Sequence, residues 1–294
     1  MNFDWLAWSN PVAVWWTFLL VLSVMNVALF VALHRHVRRW ALERGMLRLE
    51  LMIVLCAAYV FGCAFRSILP RADVQRICLF DTWLSSVAVG RSVATIAEIC
   101  FVIQWAIVLR ELARFTQSNF ARSVSSTIVP LIVVAECCSW YAVITTSYLG
   151  NAIENSLWAV AFLLIAAALL RLLVEFGGVV RGAMATAFVG VCGYLVFLVS
   201  IDVPMYLSRW QTDLASGKPI LGLFAGLYDV STRWAVTHEI AHWHEEMAWM
   251  ALYFSLAVWS SLALCGFLFI RDQLHRYHLR PSRLRTPALL THRP

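Results

Sequence analysis

Charge is what this chain has least of. Only 14% of its residues are Asp, Glu, Lys or Arg, where a soluble domain carries about a quarter, so a soluble globular protein is excluded. Lysine is almost missing: 22 of the 23 basic residues are Arg, and the single Lys218 stands in a Ser-Gly-Lys-Pro turn. A retinal Schiff base needs a lysine inside the helix bundle, which argues against a rhodopsin-type pigment. There is no C-x-x-C. Cys56, Cys63, Cys100, Cys137, Cys138, Cys192 and Cys265 fall in apolar runs and Cys78 in a loop, the placement of buried thiols and not of a disulfide framework. No internal repeat, low-complexity tract or polar stretch long enough for a second domain is present. The N-terminal region has Asp4 but no Lys or Arg, and its long apolar run ends in His34-Arg35-His36 without a small-residue cleavage site. That excludes a cleavable signal and predicts a retained first span.

What remains is hydrocarbon. Hydrophobic residues make up 61% of the chain. The apolar runs leave room for about seven spans of roughly 20 residues each, near 11–34, 51–69, 87–109, 127–148, 157–176, 183–203 and 247–270. The expected fold is an all-α polytopic transmembrane bundle of about seven helices. It forms one domain over 1–270, followed by a basic tail, 271–294. The sixth connection, 204–246, is expected to be long and extracytoplasmic. Its apolar middle, 220–228, is too short to span, and suits an interfacial or re-entrant segment.

Basic residues partition unevenly between the two sides. Sixteen, including Arg35, Arg38, Arg39, Arg44 and Arg48 in the first connection and six Arg in the tail, fall on one side, against seven on the other. Lys and Arg are retained in the cytoplasm, so the N-terminus is expected outside and the C-terminus inside. Trp5, Trp8, Trp15 and Trp16 suit an interfacial anchor. Because the basic excess follows topology, it implies no nucleic acid. The expected partners are the lipid bilayer (the cytoplasmic membrane, if the source is bacterial), a small-molecule or lipid ligand, and a membrane-protein partner docked by the tail.

The polar residues collect on the outer side of this topology. Arg66 and Ser67 end the second span, Asp81 precedes the third, and Asp202 ends the sixth; each is equally an interfacial residue facing water. Arg91, Thr95 and Glu98 are spaced i, i+4 and i+7 and share one helix face. A charged pair on one stripe of a span points into the bundle, since lipid exposure is costly. It either fixes helix packing or serves a ligand, proton or metal. Glu136 is a second intramembrane acid.

The densest cluster is His238-Glu239-Ile240-Ala241-His242-Trp243-His244-Glu245-Glu246, just before the last span. Its first five residues read H-E-x-x-H. On a helix that spacing puts both imidazoles on one face, where two histidines hold a metal and the Glu activates its water. Glu246 would lie about 12 Å along a straight helix from His238, so a third ligand must be Asp81, Asp202, Asp229 or Glu98 from another element, or His244 if the helix is broken. The alternative is a solvated helix start rich in His, Glu and Trp, whose acids favour the helix dipole.

This layout is similar to that of the seven-helix membrane hydrolases of the alkaline ceramidase and adiponectin receptor superfamily. The resemblance rests on the span count and on Ser67, Asp81, His238 and His242. It implies a zinc near the N-terminal side of the bundle, held by H-x-x-x-H on the seventh helix with a Ser and an Asp nearby. The chain departs from the pattern where the second helix should supply a histidine, because Arg66 and Arg71 stand there instead.

Two function classes follow. In the first, an outward-facing site binds a divalent metal such as zinc through His238 and His242, and Glu239 or Asp81 positions water to hydrolyse a lipid or peptide. In the second, a non-enzymatic transporter, receptor or sensor uses Arg91, Glu98, Glu136 and Asp202 to bind a small polar ligand or move protons. A third, an accessory subunit, would act through the tail.

Overall fold

The computed structural model describes residues 4–42 and 47–267. The basic tail 271–294 and Arg44 lie outside the described residues, as do the side chains of Arg38, Arg39 and Arg48. The protein is an all-α bundle, and seven of its helical segments are long and apolar enough to cross a membrane. They are α1 (Pro11–Leu42), α2 (Leu47–Ile68), α3 (Val87–Thr116), α4 (Asn119–Thr145) and α5 (Tyr148–Leu173). The sixth is α6 (Gly178–Phe197), which passes through a π-turn at Leu198–Asp202 into α7 (Val203–Ala215). A short α8 (Leu223–Thr232) precedes the last segment, α9 (Ile240–Leu252), which continues through a second π-turn, Tyr253–Ala257, to Phe267. It is a multi-pass integral membrane protein. Large apolar side chains such as Phe18, Val21, Val24, Leu163, Val189 and Val196 stand exposed on the helix surfaces. They are stable there because hydrocarbon and not water surrounds them.

Serines set the tight connections. Ser86 and Ser118 cap α3 and α4, their hydroxyls accepting from Val89 N at 3.4 Å and Ala121 N at 3.3 Å. Gln117 and Thr146, both left-handed at φ 53° and 59°, close the preceding helices in turns of two residues. Such short links force α3, α4 and α5 to pack antiparallel as sequence neighbours. The packing runs α1–α2–α3–α4–α5–α6, and α9 returns to pack on α1. The core between them is aliphatic, with Leu19, Met52, Leu109, Ile128, Ile132 and Ile165 fully enclosed.

The sixth span differs from expectation. Helix continues past residue 203 to Ala215, so the connection to α9 begins at Ser216. Its apolar middle forms α8. The other connection at this end, residues 69–86, carries β1 (Arg71–Ala72) and β2 (Ile77–Cys78), which pair antiparallel; β3 (Ala235–Val236) adds in parallel beside β2. Arg76 secures this cap. Buried and left-handed at φ 59°, it donates from Nε to Asp229 Oδ2 of α8 at 2.7 Å, and its other nitrogens reach the carbonyls of Asp73 and Val143.

Candidate functional site

Arg91, one turn into α3, is the centre of the bundle's charge. A guanidinium in hydrocarbon requires partners, and three helices supply them. Its Nη2 lies 2.6 Å from Glu136 Oε2 of α4, 3.4 Å from Glu98 Oε2 of α3 and 3.4 Å from Glu154 Oε1 of α5. All four side chains are buried. Each acid has a second support. Thr95 Oγ1 donates to Glu136 Oε2 at 2.6 Å and itself accepts from Trp140 Nε1 at 3.1 Å. Tyr253 of the α9 π-turn donates its hydroxyl to Glu98 Oε1 at 3.1 Å. Asn151 Nδ2 donates to Glu154 Oε2 at 3.2 Å. The cluster thus joins α3, α4, α5 and α9, and three carboxylates meet one guanidinium.

Arg91, Glu98 and Glu154 face a cavity of about 860 Å³. It is walled by α2, α3, α5, α6 and α9, and its character changes along its length. At the cap end the lining is charged: Arg66, Arg71, Asp73, Asp202 and Glu246. Around the cluster it is aromatic, with Tyr59 stacked on Phe101 at 4.8 Å and Tyr194 edge-on to Phe162 at 5.1 Å. Beyond, it is apolar through Val108, Leu112, Leu169, Leu256, Leu264 and Phe267. From Arg91 to Leu112 is about 30 Å at 1.5 Å per helical residue, so the lined path is nearly as long as a bilayer's hydrocarbon core. The space is a long, partly open tube.

Part of its wall is a stripe of small residues on α6, beside the larger Met184, Val191, Tyr194 and Phe197. Ala183, Thr186, Ala187, Gly190 and Gly193 recur at helical spacing and all line the cavity. A Cβ at Gly190 or Gly193 would meet no atom within 4 Å. Larger residues would fill the tube. α6 packs on α5 and buries only Met184 and Val191, while α9 packs on α1. The last two spans therefore face each other across the cavity, and among the described residues no close helix seam joins them.

At the cap end Arg71 lies against the start of α3. It donates Nε to Asp73 Oδ1 at 2.8 Å and Nη2 to the Val87 carbonyl at 3.3 Å, and Nη1 reaches the Ser86 carbonyl. Gly90 makes this approach feasible, because a Cβ there would overlap the guanidinium. Burial pulls Arg71 down to about 10, opposed by the Asp73 charge. Burial alone would raise Asp73; Arg71, Arg66, Arg91 and Arg76 outweigh it and hold the carboxyl below its ordinary value. Burial likewise pushes the Cys78 thiol up. Glu246 accepts from Gln75 Nε2 at 2.9 Å and pairs with Arg209 Nη1 at 3.4 Å, tying α9 to the cap and to α7.

The chain matches no protein-family model, no curated protein and no solved structure. Its function rests on the geometry of the site.

That geometry separates the sequence candidates into two groups. Arg91, Glu98 and Glu136 come together, and Asp202 lines the same cavity from the α6 π-turn. The histidine motif does not form the expected ligand face. α9 begins at Ile240 with Glu239 as its cap, so of the two H-E-x-x-H imidazoles His238 precedes the helix and His242 is on it. His238 is held elsewhere: its Nε2 bonds the Leu79 carbonyl at 2.9 Å and its ring stacks on Trp5 at 4.2 Å. His242 and Glu239 are exposed and lie 3.7 Å from each other. Asp81 is exposed and accepts from Trp234 Nε1 at 3.0 Å. Asp229, the other distant acid, is committed to Arg76 and Arg233. Among the described residues these groups bring no third ligand to the pair. The only grouping there with metal-ligand spacing is Glu98, Glu136 and Glu154, whose oxygens lie within 4.8 Å of one another. Arg91 Nη2 stands among those oxygens, so an ion would have to take the place of the guanidinium.

Glu154 was not legible as a member. Taken as a span, the apolar run starts at Leu157, whereas α5 starts at Tyr148 and carries Glu154 two turns inside. The signal was present in Asn151, Glu154 and Asn155, a polar stripe at i, i+3 and i+4.

Proposed function

We propose that this membrane protein binds an amphipathic ligand inside its bundle, with the ligand's polar head at the Arg91 cluster and its apolar chain along the α6–α9 tube. The carrying observation is the cavity itself: about 860 Å³, charged at one end and apolar over the rest of its length. Ligand sites are typically about 300–1,000 Å³ with a few convergent polar groups, and an intramembrane charge cluster is functional by default. The gap between α6 and α9 supplies a route from the bilayer. This favours the receptor, sensor or transporter class over a hydrolase built on His238 and His242. The bland alternative, a charge pair that only fixes helix packing, accounts for Arg91 and its acids but leaves the long apolar tube unexplained.

The test fills the tube without disturbing the cluster. Gly190→Leu with Gly193→Leu adds bulk where a Cβ meets open space; Gly182→Leu, also unobstructed but off the cavity lining, is the control. Native mass spectrometry after exhaustive detergent exchange should show a retained lipid-like adduct on the wild type and the control and none on the double variant. Equal adducts on all three proteins would refute the proposal.

A further inference from the structure

We infer that the head of this ligand, on the amphipathic-ligand reading above, is a cation: an amine or quaternary ammonium group seated between the Arg91 cluster and Asp202. Acids outnumber bases around the tube: Asp73, Glu98, Glu154, Asp202 and Glu246 against Arg66, Arg71 and Arg91; just behind the lining, Glu136 adds one acid and Arg209, paired with Glu246, one base. The bases are also committed. Arg91 serves three carboxylates, and Arg71 serves Asp73 and two carbonyls. Arg66 lies 3.9 Å from Asp73 and 5.9 Å from the centre of the Trp249 ring. An anionic head would have to break these contacts.

The acids are not equally committed. Asp202 is 8% exposed and lines the cavity, yet it makes no hydrogen bond or ion pair among the described residues. It sits at the end of the α6 π-turn, a local widening that occurs frequently at functional sites. Glu136 Oε1 and Asn151 Oδ1 are buried acceptors without a donor, and Arg91 Nε and Trp105 Nε1 are buried donors without an acceptor. A low-dielectric site with surplus carboxylates lacks positive charge. A protonated amine or a quaternary ammonium supplies it. The rings of Tyr59, Trp158, Tyr206 and Tyr253 line the same space, and aromatic faces favour cations over anions.

Three probes with one tail isolate the head: dodecyltrimethylammonium, dodecyl sulfate and dodecyl maltoside, radiolabelled, binding to the full-length protein in lipid nanodiscs over empty nanodiscs. The ammonium should bind saturably and at least about tenfold tighter than the sulfate, a difference of about 1.4 kcal/mol. Asp202→Asn, which removes no hydrogen bond within the described residues, should cut ammonium affinity about tenfold and leave the maltoside unchanged. If the sulfate binds as tightly as the ammonium, or Asp202→Asn changes nothing, the cationic head is wrong while the binding tube stands. Equal binding of all three heads, lost in the Gly190→Leu, Gly193→Leu protein, likewise overturns the cationic head and assigns neutralisation of the cluster to protons. If no probe binds saturably, both the head and the tube as a ligand site are overturned.

Discussion

Arg91 and its three acids form one buried ionic network across three helices. The pair Arg91 and Glu98 shows in the sequence because seven residues return a helix to the same face, and charge on one face of a span must turn inward. Glu136 is equally visible as an acid inside an apolar run, but its partner is not, since the contact joins α3 to α4 and only the folded packing brings the two together. Removing Arg91 leaves three buried carboxylates with no guanidinium among them. Arg91→Ala should therefore cost about 3–5 kcal/mol, the usual result of stripping one partner from a buried ionic network. Arg122→Ala, at an exposed position on α4, should fall within about 0.5 kcal/mol. Thermal unfolding in detergent of the two variants checks this; equal shifts would show that the cluster is not the buried network described.

At the scale of elements, the two π-turns matter more than the helices that contain them. Both line the tube, one on each side of the α6–α9 gap, and each places a side chain on the cavity wall, Asp202 or Tyr253. A π-turn disturbs the helical hydrogen-bond ladder and calls for outside donors. On α9 this is met by Asn26, which donates Nδ2 to the Phe254 carbonyl at 2.8 Å and accepts from Trp259 Nε1 at 3.0 Å. Asn26→Ala should destabilise the protein by about 1–3 kcal/mol through the unmet carbonyl and indole, and should free the Tyr253 hydroxyl from Glu98. Unfolding midpoints of Asn26→Ala and of Asn26→Asp separate the roles. The aspartate keeps the acceptor for Trp259 and loses the donor, so its defect should persist if the π-turn carbonyl matters. An unchanged midpoint for both would sink the assignment. Neither π-turn was legible in the sequence, because five residues of π-helix have the composition of any apolar span. The start of α9 was misleading for a related reason: a polar run shows that a helix begins, not at which residue. H-E-x-x-H lost its common face because the cap fell at Glu239, within the motif.

Over the whole molecule, the seven spans were legible because hydrocarbon demands long apolar helices; their ends were not, since α1, α5 and α6 run on into polar sequence. The molecule is polarised. The α2–α3 connection, α8, β3 and the charged mouth of the tube gather at one end, and the short α3–α4 turn lies at the other. An odd number of crossings sends the chain's two ends to opposite sides. Sixteen basic residues in the first, third and fifth connections and the tail, against seven elsewhere, predict a cytoplasmic C-terminus, with the capped, charged end outside. A cationic ligand would then meet its site from the outer leaflet. Fusion of a reporter that is active only in the cytoplasm, and of one active only outside it, to each terminus tests this orientation. The C-terminus should light the first and the N-terminus the second. The opposite pattern would turn the ligand site to the cytoplasm. The same signal at both ends would mean that one of the seven segments does not cross, and the most exposed of them, Gly178–Ala215 at 17% buried, would be the first to doubt. That segment also forms one wall of the tube, so its crossing is a condition of the ligand route through the α6–α9 gap.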